Sequence, residues 1–319
     1  MSARRLRVGT RGSALALAQT RQVVAALRAA GVDVAVEEVV IRTTGDRSAA
    51  SLRQIGGQGA FTRELEAALM DGRIDVAVHS LKDLPSTLPD GLALAATPPR
   101  ADPRDVLVSS FGGGLASLPA GARVGTGSLR RRAQLLALRP DVTVADIRGN
   151  VDTRLRKLEE GQYDAILLAA AGLWRLGRHH LVERHALPLE LMLPAPAQGI
   201  LGLECRADDR DVIAWLRAVN DPATFAAATA ERAVLRRLGA GCRLPVAAYA
   251  RVTGDRLTLH ARVLGFDGSP VIEVVLNGVP EEAETLGAAA AERLLDRGAA
   301  DLLAGQAASD SKTGGTRHA

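Results

Sequence analysis

Short apolar runs alternate with longer amphipathic segments along most of the chain, and each apolar run ends in a turn rich in glycine or polar residues. The run from Val76 to Val78 is continuous and largely β-branched, which is typical of a buried parallel strand. By contrast, the segment from Ala14 to Ala30 carries apolar residues at helical spacing behind Ser13, a candidate N-cap. This alternation of strands and helices predicts an α/β fold.

Two groups of prolines interrupt this pattern, one at residues 98–103 and the other at residues 188–196. The segment between them repeats the strand–helix alternation, so we expect one α/β domain to be inserted into another. Two crossing segments would join these domains, with a cleft that can open and close. The predicted division is a first domain of residues 1–98 and 199–219, a second of 104–193, a third α+β domain of 221–306, and a disordered tail of 307–319.

Length and composition exclude several classes of function. A chain of 319 residues with 47% hydrophobic content can form two or three domains with substantial cores. The formal charge is +4 and aromatic residues make up 3% of the chain, which argues against nucleic-acid binding. No apolar signal region precedes the first predicted strand, and the longest apolar stretches are too short to span a bilayer. We therefore expect a cytoplasmic protein without a membrane partner.

All but three of the 40 basic residues are arginines. A genome-wide preference explains those on predicted helix faces, such as Arg132, Arg156 and Arg184. Other arginines stand in turns between a strand and a helix, where backbone N–H groups favour an anion. Arginine binds carboxylates through two hydrogen bonds, so these turns predict a carboxylate site; the glycine and lysine pattern of a nucleotide loop is missing. The turn arginines are Arg11, Arg130, Arg131, Arg148, Arg154 and Arg175.

The loop after the run Val76–Val78 contains Lys82 and Asp83, and Pro85 stops any continuation of the strand. In open α/β sheets, ligands bind beyond the carboxyl ends of the strands, which is where this loop would lie. A lysine beside a carboxylate can serve as an acid/base pair there, although a solvated turn is the simpler alternative. Phe61 follows the glycine loop of residues 56–59, and it either packs in the core or covers a flat ligand.

The two cysteines differ in their surroundings. Cys242 lies in a loop of small residues beside Arg243, which favours an accessible thiol with a lowered pKa. Cys205 lies within an apolar strand and is expected to be inert core. The histidines at positions 179, 180 and 185 have the wrong spacing for one helical face, so we predict no metal site. His79 is expected to be a hydrogen-bonded core histidine.

Taken in order, these motifs resemble the porphobilinogen deaminase (hydroxymethylbilane synthase) family from about Leu6 to Gln306. The motifs that carry the resemblance are T-R-G-S, A-V-H-S-L-K-D-L-P, D-P-R-D, V-G-T-G-S-L-R-R-R, R-G-N-V-D-T-R, A-A-A-G-L-W-R-L-G, P-A-P-A-Q-G and G-A-G-C-R-L-P-V. The resemblance implies two domains like type II periplasmic binding proteins with a cleft between them, plus a small α+β domain carrying the cysteine. It also implies a monomer.

The family joins four porphobilinogen molecules head to tail into hydroxymethylbilane, with release of four ammonia molecules. The resemblance implies a dipyrromethane cofactor held by a thioether to Cys242, and Asp83 as the carboxylate that stabilises the cationic azafulvene and moves protons. Cofactor-binding residues implied are Cys242, Lys82, Asp83, Thr126, Ser128, Arg130, Arg131 and Arg154. Substrate-binding residues implied are Arg11, Ser13, Arg148, Arg175 and Phe61.

Two positions depart from the family pattern. Gln54 and Gln58 stand where many relatives carry lysine, which removes charge and puts in doubt a carboxylate contact from the glycine loop. The alternative function is a non-enzymatic solute-binding or effector domain of the same architecture. The third domain with Cys242 favours the enzyme, as does the lack of a signal region or a helix-turn-helix segment.

Overall fold

The structure is a computed structural model that describes residues 5–43, 62–239 and 244–302. Predictions that concern Gln54, Gln58, Phe61, Cys242 and the tail 307–319 therefore lie outside the described residues. The chain divides into two units. The first contains Met1–Val106, Leu168–Ala186 and Ala197–Ala228, and the second contains Leu107–Leu167, Leu187–Pro196 and Thr229–Ala319.

In the sheet of the first unit, β1 (Arg5–Arg11) runs parallel to both of its neighbours. The order among the described strands is β2-β1-β3-β9-β4, and β9 runs antiparallel to β3 and β4. The other strands of this sheet are β2 (Ala35–Ile41), β3 (Val76–Ser80), β4 (Leu92–Ala96) and β9 (Leu201–Arg206). Its helices are α1 (Ala14–Ala29), α2 (Arg63–Met70), α5 (Ala170–Arg175), α6 (His179–His185) and α7 (Arg210–Arg217).

A second sheet has the order β5-β8-β6-β7, with β6 parallel to β7 and β8. Its strands are β5 (Asp105–Ser109), β6 (Arg123–Gly125), β7 (Thr143–Ala145) and β8 (Ala165–Ala169), and its helices are α3 (Leu129–Leu138) and α4 (Val151–Glu159). In the first sheet, β1 lies between β2 and β3, and β9, which follows a crossing segment, lies beside β3. In the second sheet, β6 lies between β7 and β8, and β5, which also follows a crossing segment, lies beside β8. This shared order confirms the predicted α/β class with two sheets of the type II periplasmic-binding-protein kind.

The C-terminal part of the second unit is an antiparallel sheet of β10 (Val246–Thr253), β11 (Arg256–Leu264) and β12 (Val271–Gly278). Helix α9 (Ala283–Leu294) packs against this sheet and against α8 (Pro222–Arg237). A Cβ at Gly287 would collide with the carbonyl oxygen of Ala230, so this glycine permits the close approach of the two helices. The predicted α+β character of this part of the chain is confirmed.

Apolar alternation explains where the core of the first sheet lies. Leu6, Val8, Val76 and Val78 are buried in one cluster with residues of β9, because alternate side chains of adjacent strands share a face. The predicted helix Ala14–Ala30 is observed as Ala14–Ala29, and the apolar run Val76–Val78 begins a strand that continues to Ser80. The division into three domains stays a prediction; the two units group residues 168–186 with the first sheet. No helix of the described ranges is long and apolar enough to cross a membrane.

Candidate active site

Asp83 ends a single 3-10 turn (Leu81–Asp83) at the carboxyl end of β3. The turn is fixed on both sides of its polar residues because Leu81 and Leu84 are buried in a cluster with Ala197 and Ile200. The backbone N–H of Leu81 also donates to the carbonyl oxygen of Ile200 at 3.0 Å. Lys82 and Asp83 remain partly exposed between these anchors. The predicted position at a strand end is confirmed, and the carboxylate is held by a rigid turn.

Lys82 donates from Nζ to Oε1 of Gln198 at 3.3 Å. The amide nitrogen of Gln198 donates in turn to Oδ1 of Asp105 and to the carbonyl oxygen of Pro103, both at 2.8 Å. Gln198 and Asp105 are buried, with 1% and 0% of their surfaces exposed. The sequence pattern did not indicate a role for Gln198, although it stands in the motif P-A-P-A-Q-G. The feature that could have indicated one is a polar side chain among prolines and small residues.

Arg11 is the last residue of β1 and Ser13 follows it; the carboxyl end of β1 lies beside that of β3 because the two strands are parallel. Ser13 caps α1 by accepting a hydrogen bond from the N–H of Ala16 at 3.2 Å. The amide of Gln19, on the first turns of α1, donates to the hydroxyl of Ser80 at 2.7 Å and ties this helix to the end of β3. Arg11 and Ser13 therefore lie at the same end of the sheet as Asp83, beyond the carboxyl ends of the strands.

Arg175, at the end of α5, belongs to the first unit and not to the second sheet. Its guanidinium donates to Oε1 of Gln22 at 3.2 Å and to the carbonyl oxygen of Gly199 at 3.1 Å. Burial lowers the pKa of Arg175 to about 10, so its charge is held in a poorly hydrated environment. An anionic ligand at this guanidinium would compensate that cost.

In the second unit, the turn after β6 forms the N-terminus of α3. The hydroxyl of Thr126 accepts from the N–H of Ser128 at 3.2 Å, and Ser128 caps the helix by accepting from the N–H of Arg131 at 3.4 Å. A Cβ at Gly127 would lie 3.4 Å from the carbonyl oxygen of Ile147, so the turns after β6 and β7 approach closely here. The predicted strand, turn and helix start are confirmed.

Arg130 and Arg131 are buried, with 4% and 6% of their surfaces exposed. Arg130 donates to the carbonyl oxygen of Leu193 at 2.8 Å, and Arg131 donates to that of Leu167 at 2.9 Å. Backbone acceptors thus fix the direction of both guanidinium groups, an arrangement that reduces the entropy lost when a ligand binds. Both arginines lie at the start of a helix after a strand, as predicted, but nothing in the sequence indicates that they are buried.

Arg148 and Arg154 flank the start of α4 in the same unit. Arg148 lies 3.2 Å from the exposed carboxylate of Asp146, and Arg154 donates to the carbonyl oxygen of Gly149 at 2.8 Å. Burial, together with the charges of Arg131 and Arg148, lowers the pKa of Arg154 to about 10. The charges of Arg131 and Arg148 therefore act unfavourably on the Arg154 guanidinium, and an anion with several charges would offset this effect.

The predictions for Cys205 and His79 agree with the structure. Burial raises the pKa of the Cys205 thiol to about 11, so this cysteine is inert core. His79 is buried and forms a hydrogen bond with Glu204. His179 stacks on the indole of Trp174, with 4.0 Å between the ring centroids.

Comparison with known proteins covers nearly the whole chain. Residues 6–214 match the family described as "Porphobilinogen deaminase, dipyromethane cofactor binding domain", and residues 225–296 match "Porphobilinogen deaminase, C-terminal domain". The porphobilinogen deaminase of Roseiflexus castenholzii is 53% identical over 304 residues, which are 94% of this chain and 99% of the relative. That of Syntrophus aciditrophicus is 49% identical over 299 residues, or 93% and 97% of the two chains.

Among solved structures, a YaeC-family lipoprotein from Enterococcus faecalis is 13% identical, with 68% of this chain and 91% of that chain covered and a TM-score of 0.41. The family matches, the relatives of about half identity and the motifs at the strand ends all agree. The chain belongs to the porphobilinogen deaminase family, transferases that assemble hydroxymethylbilane from porphobilinogen with a dipyrromethane cofactor.

Proposed function

We propose that Asp83 is the catalytic carboxylate of this hydroxymethylbilane synthase. The observation that carries the proposal is its position on a short turn anchored by buried Leu81 and Leu84 at the carboxyl end of β3. A carboxylate fixed in this way needs little reorganisation to stabilise the positive charge that develops when porphobilinogen loses ammonia. The same oxygen atoms can accept the proton that the pyrrole ring gives up after the new bond forms.

In the first unit, we assign Arg11, Ser13 and Arg175 to the acetate and propionate groups of porphobilinogen. Two features support this assignment. The carboxyl ends of β1 and β3 lie side by side, so Arg11 and Ser13 are at the same end of the sheet as Asp83. Arg175 has a partly buried guanidinium whose pKa is lowered to about 10, and a carboxylate would offset the cost of that burial.

In the second unit, the chemistry of the donor set fits an oligopyrrole with several carboxylates. The charges of Arg131 and Arg148 disfavour the charge of Arg154, and an anion with several charges would offset that unfavourable interaction. We assign Arg130, Arg131 and Arg154, together with Thr126 and Ser128, to the dipyrromethane cofactor and Arg148 to the substrate. When bound, the cofactor supplies the pyrrole end to which the first substrate molecule is joined.

Lys82 is the remaining cofactor contact that we assign in the first unit. Its ammonium group is oriented by Gln198, so it can meet a carboxylate as a fixed point charge. Phe61 and Cys242 lie outside the described residues, and their proposed roles, contact with substrate and thioether attachment of the cofactor, follow from the family motifs. We further propose a cytoplasmic monomer with three domains.

Intact-protein mass spectrometry tests the tether directly. We expect active protein to carry a covalent adduct of two pyrrole units, and the Cys242→Ser variant to lack it. Cys205→Ser is the matched control, because the Cys205 thiol is buried and should not be modified. Active protein of unmodified mass, or an adduct that persists in Cys242→Ser, would overturn the assignment.

A further inference from the structure

Three ionisable side chains are buried together beneath the strand end that carries the catalytic turn. They are Glu66 on α2, His79 on β3 and Glu204 on β9. Nε2 of His79 lies 2.8 Å from Oε2 of Glu204, and these side chains are only 3% and 0% exposed. Glu66 is 9% exposed as a residue. The proposed mechanism assigns no role to any of them, yet burial of ionisable groups carries a high free-energy cost.

The strand register explains why the three groups meet. Ala77 of β3 pairs with Glu204 and His79 pairs with Gly202, and side chains two residues apart share a face. Ala77, His79 and Glu204 thus point to one side of the sheet. Helix α2 covers that side, because Leu65 and Leu69 pack with Ala77 in one cluster. Glu66 is the ionisable residue that α2 buries there.

The surroundings of Glu66 disfavour its ionised form. Burial has the largest effect and raises the pKa of Glu66, and the charge of Glu204 also raises it, whereas a hydrogen bond with Thr62 and the charges of His79 and Arg63 lower it. Oε1 of Glu66 and Oε1 of Glu204 are buried without a hydrogen-bond partner within the described ranges. A proton retained by Glu66 would lower the charge that this cluster buries.

Few other charged groups face this cluster. A Cβ at Gly9 would contact Leu65 of α2, so Gly9 lies on the face of β1 that α2 covers. Arg11, two residues further along β1, lies on that same face. Arg206, two residues beyond Glu204 on β9, directs its guanidinium to Asp75 and Asp209 instead. Strand β4 carries no charged residue.

We propose that Glu66, His79 and Glu204 form a proton-sharing cluster in which Glu66 is neutral, and that His79 and Glu204 are positioning residues for Asp83. His79 stands four residues before Asp83, and its bond to Glu204 joins the end of β3 to β9. The strand end is thereby fixed from within the core, at the point where Leu81 begins the catalytic turn. The positioning role rests on the proposed function of Asp83, whereas the proton sharing does not.

The stability of the folded protein tests the proton sharing independently of activity. A carboxyl group with a raised pKa in the folded state stabilises the protein at low pH and loses that contribution as the pH rises through the folded pKa. We therefore expect the wild-type protein to lose stability relative to Glu66→Gln as the pH rises above 4.5, the ordinary value for this group. Glu38→Gln, at an exposed position of β2, is the control and should follow the wild type.

Chemical denaturation across this pH range gives the result. A pH-independent difference between the wild type and Glu66→Gln would overturn the proton sharing. Infrared spectroscopy of the wild type over the same pH range supplies a second measurement that needs no folded variant. A protonated carboxyl band should persist above pH 4.5, the ordinary value for this group, and its loss at that value would equally overturn the proposal.

Turnover by Glu204→Gln and Glu204→Leu tests the positioning role. Glutamine retains a hydrogen bond to His79, so we expect the leucine variant to lose at least about tenfold more kcat than the glutamine variant, with KM nearly unchanged. The adduct mass should stay the same in both. Equal kcat in the two variants would overturn the positioning role. Normal turnover by Asp83→Asn would instead remove the proposed function and leave the pH effect of Glu66→Gln intact.

Discussion

Lys82 and Asp105 are joined through one side-chain amide, that of Gln198, whose Oε1 accepts from Lys82 at 3.3 Å while its Nε2 donates to Asp105 at 2.8 Å. The amide cannot rotate without losing both bonds, because its oxygen and nitrogen have opposite hydrogen-bonding roles. The position of the Lys82 ammonium therefore depends on residues of both crossing segments of the first unit. This dependence explains why a glutamine is needed among small residues in the motif P-A-P-A-Q-G.

We predict that Gln198→Leu destabilises the protein by about 1–3 kcal/mol, because a buried carboxylate at Asp105 loses a donor. It should also raise KM for porphobilinogen, since Lys82 loses its orienting acceptor. Urea denaturation and steady-state kinetics measure the two effects. Gln162→Leu is a matched control, because its amide bonds only to Glu160 at the exposed surface. A Gln198→Leu protein as stable as this control would contradict the role of the buried amide.

For Asp83→Asn we expect a protein of normal stability that retains the pyrrole adduct but shows almost no turnover. Asparagine fills the same volume and preserves the turn, but it can neither balance a developing positive charge nor accept a proton. Single-turnover assays with mass analysis separate cofactor assembly from chain growth. Asp90→Asn removes an exposed charge seven residues further along and should behave as wild type. Turnover by Asp83→Asn within a few-fold of wild type would remove Asp83 from its role.

The repulsion at Arg154 leads to a prediction that depends on the cofactor. Because Arg131 and Arg148 act on a partly desolvated guanidinium, Arg154→Gln relieves an unfavourable interaction in protein that lacks the anion. We expect the substitution to lower Tm clearly in adduct-bearing protein and only slightly in the Cys242→Ser background, since a ligand stabilises the state that binds it. Calorimetry of the four combinations measures this coupling. Arg156→Gln, at an exposed position on the same helix, should show none; equal losses for Arg154→Gln in both backgrounds would contradict the prediction.

Much of the site could be predicted because ligand-binding side chains of α/β folds stand at strand ends, which are recognisable as apolar runs followed by polar turns. Asp83, Arg131 and Arg148 were located in this way, and the structure places each directly after its strand or at the following helix. The capping role of Ser128 could equally have been predicted from the sequence, since this residue stands between a glycine turn and a helical pattern.

Other features could not be predicted, because they depend on contacts between distant segments. Gln198 meets Lys82 across 116 positions of sequence, and His79 meets Glu204 across 125. Local patterns also failed to assign Glu66, whose charge and helical context are typical of a solvated face. Its burial follows only from the packing of α2 on β3 and β9, so a single sequence carries no signal for it.

Asp75, directly before β3, provides the last prediction, which concerns acid stability. It is buried and accepts hydrogen bonds from Nε and NH2 of Arg7, at 3.0 and 2.7 Å, and from NH2 of Arg206 at 2.9 Å. Burial alone would raise the pKa of Asp75, but Arg7 and Arg206 outweigh that effect and lower it below the ordinary value of 3.8. A group of this kind stabilises the protein above the unfolded pKa and loses its contribution as the pH falls through the folded pKa.

We therefore expect Asp75→Asn to cost on the order of 3 kcal/mol at neutral pH, because two arginines lose their buried partner. The cost should shrink as the pH falls below the ordinary range of a carboxyl group, where the wild-type carboxylate also becomes protonated. Denaturation curves collected from neutral to acid pH measure this convergence. Asp71→Asn, an exposed carboxylate 3.4 Å from Arg73, should change stability little at any pH. Wild-type and Asp75→Asn curves that stay parallel down to acid pH would show that the pair with Arg7 and Arg206 does not anchor the start of β3.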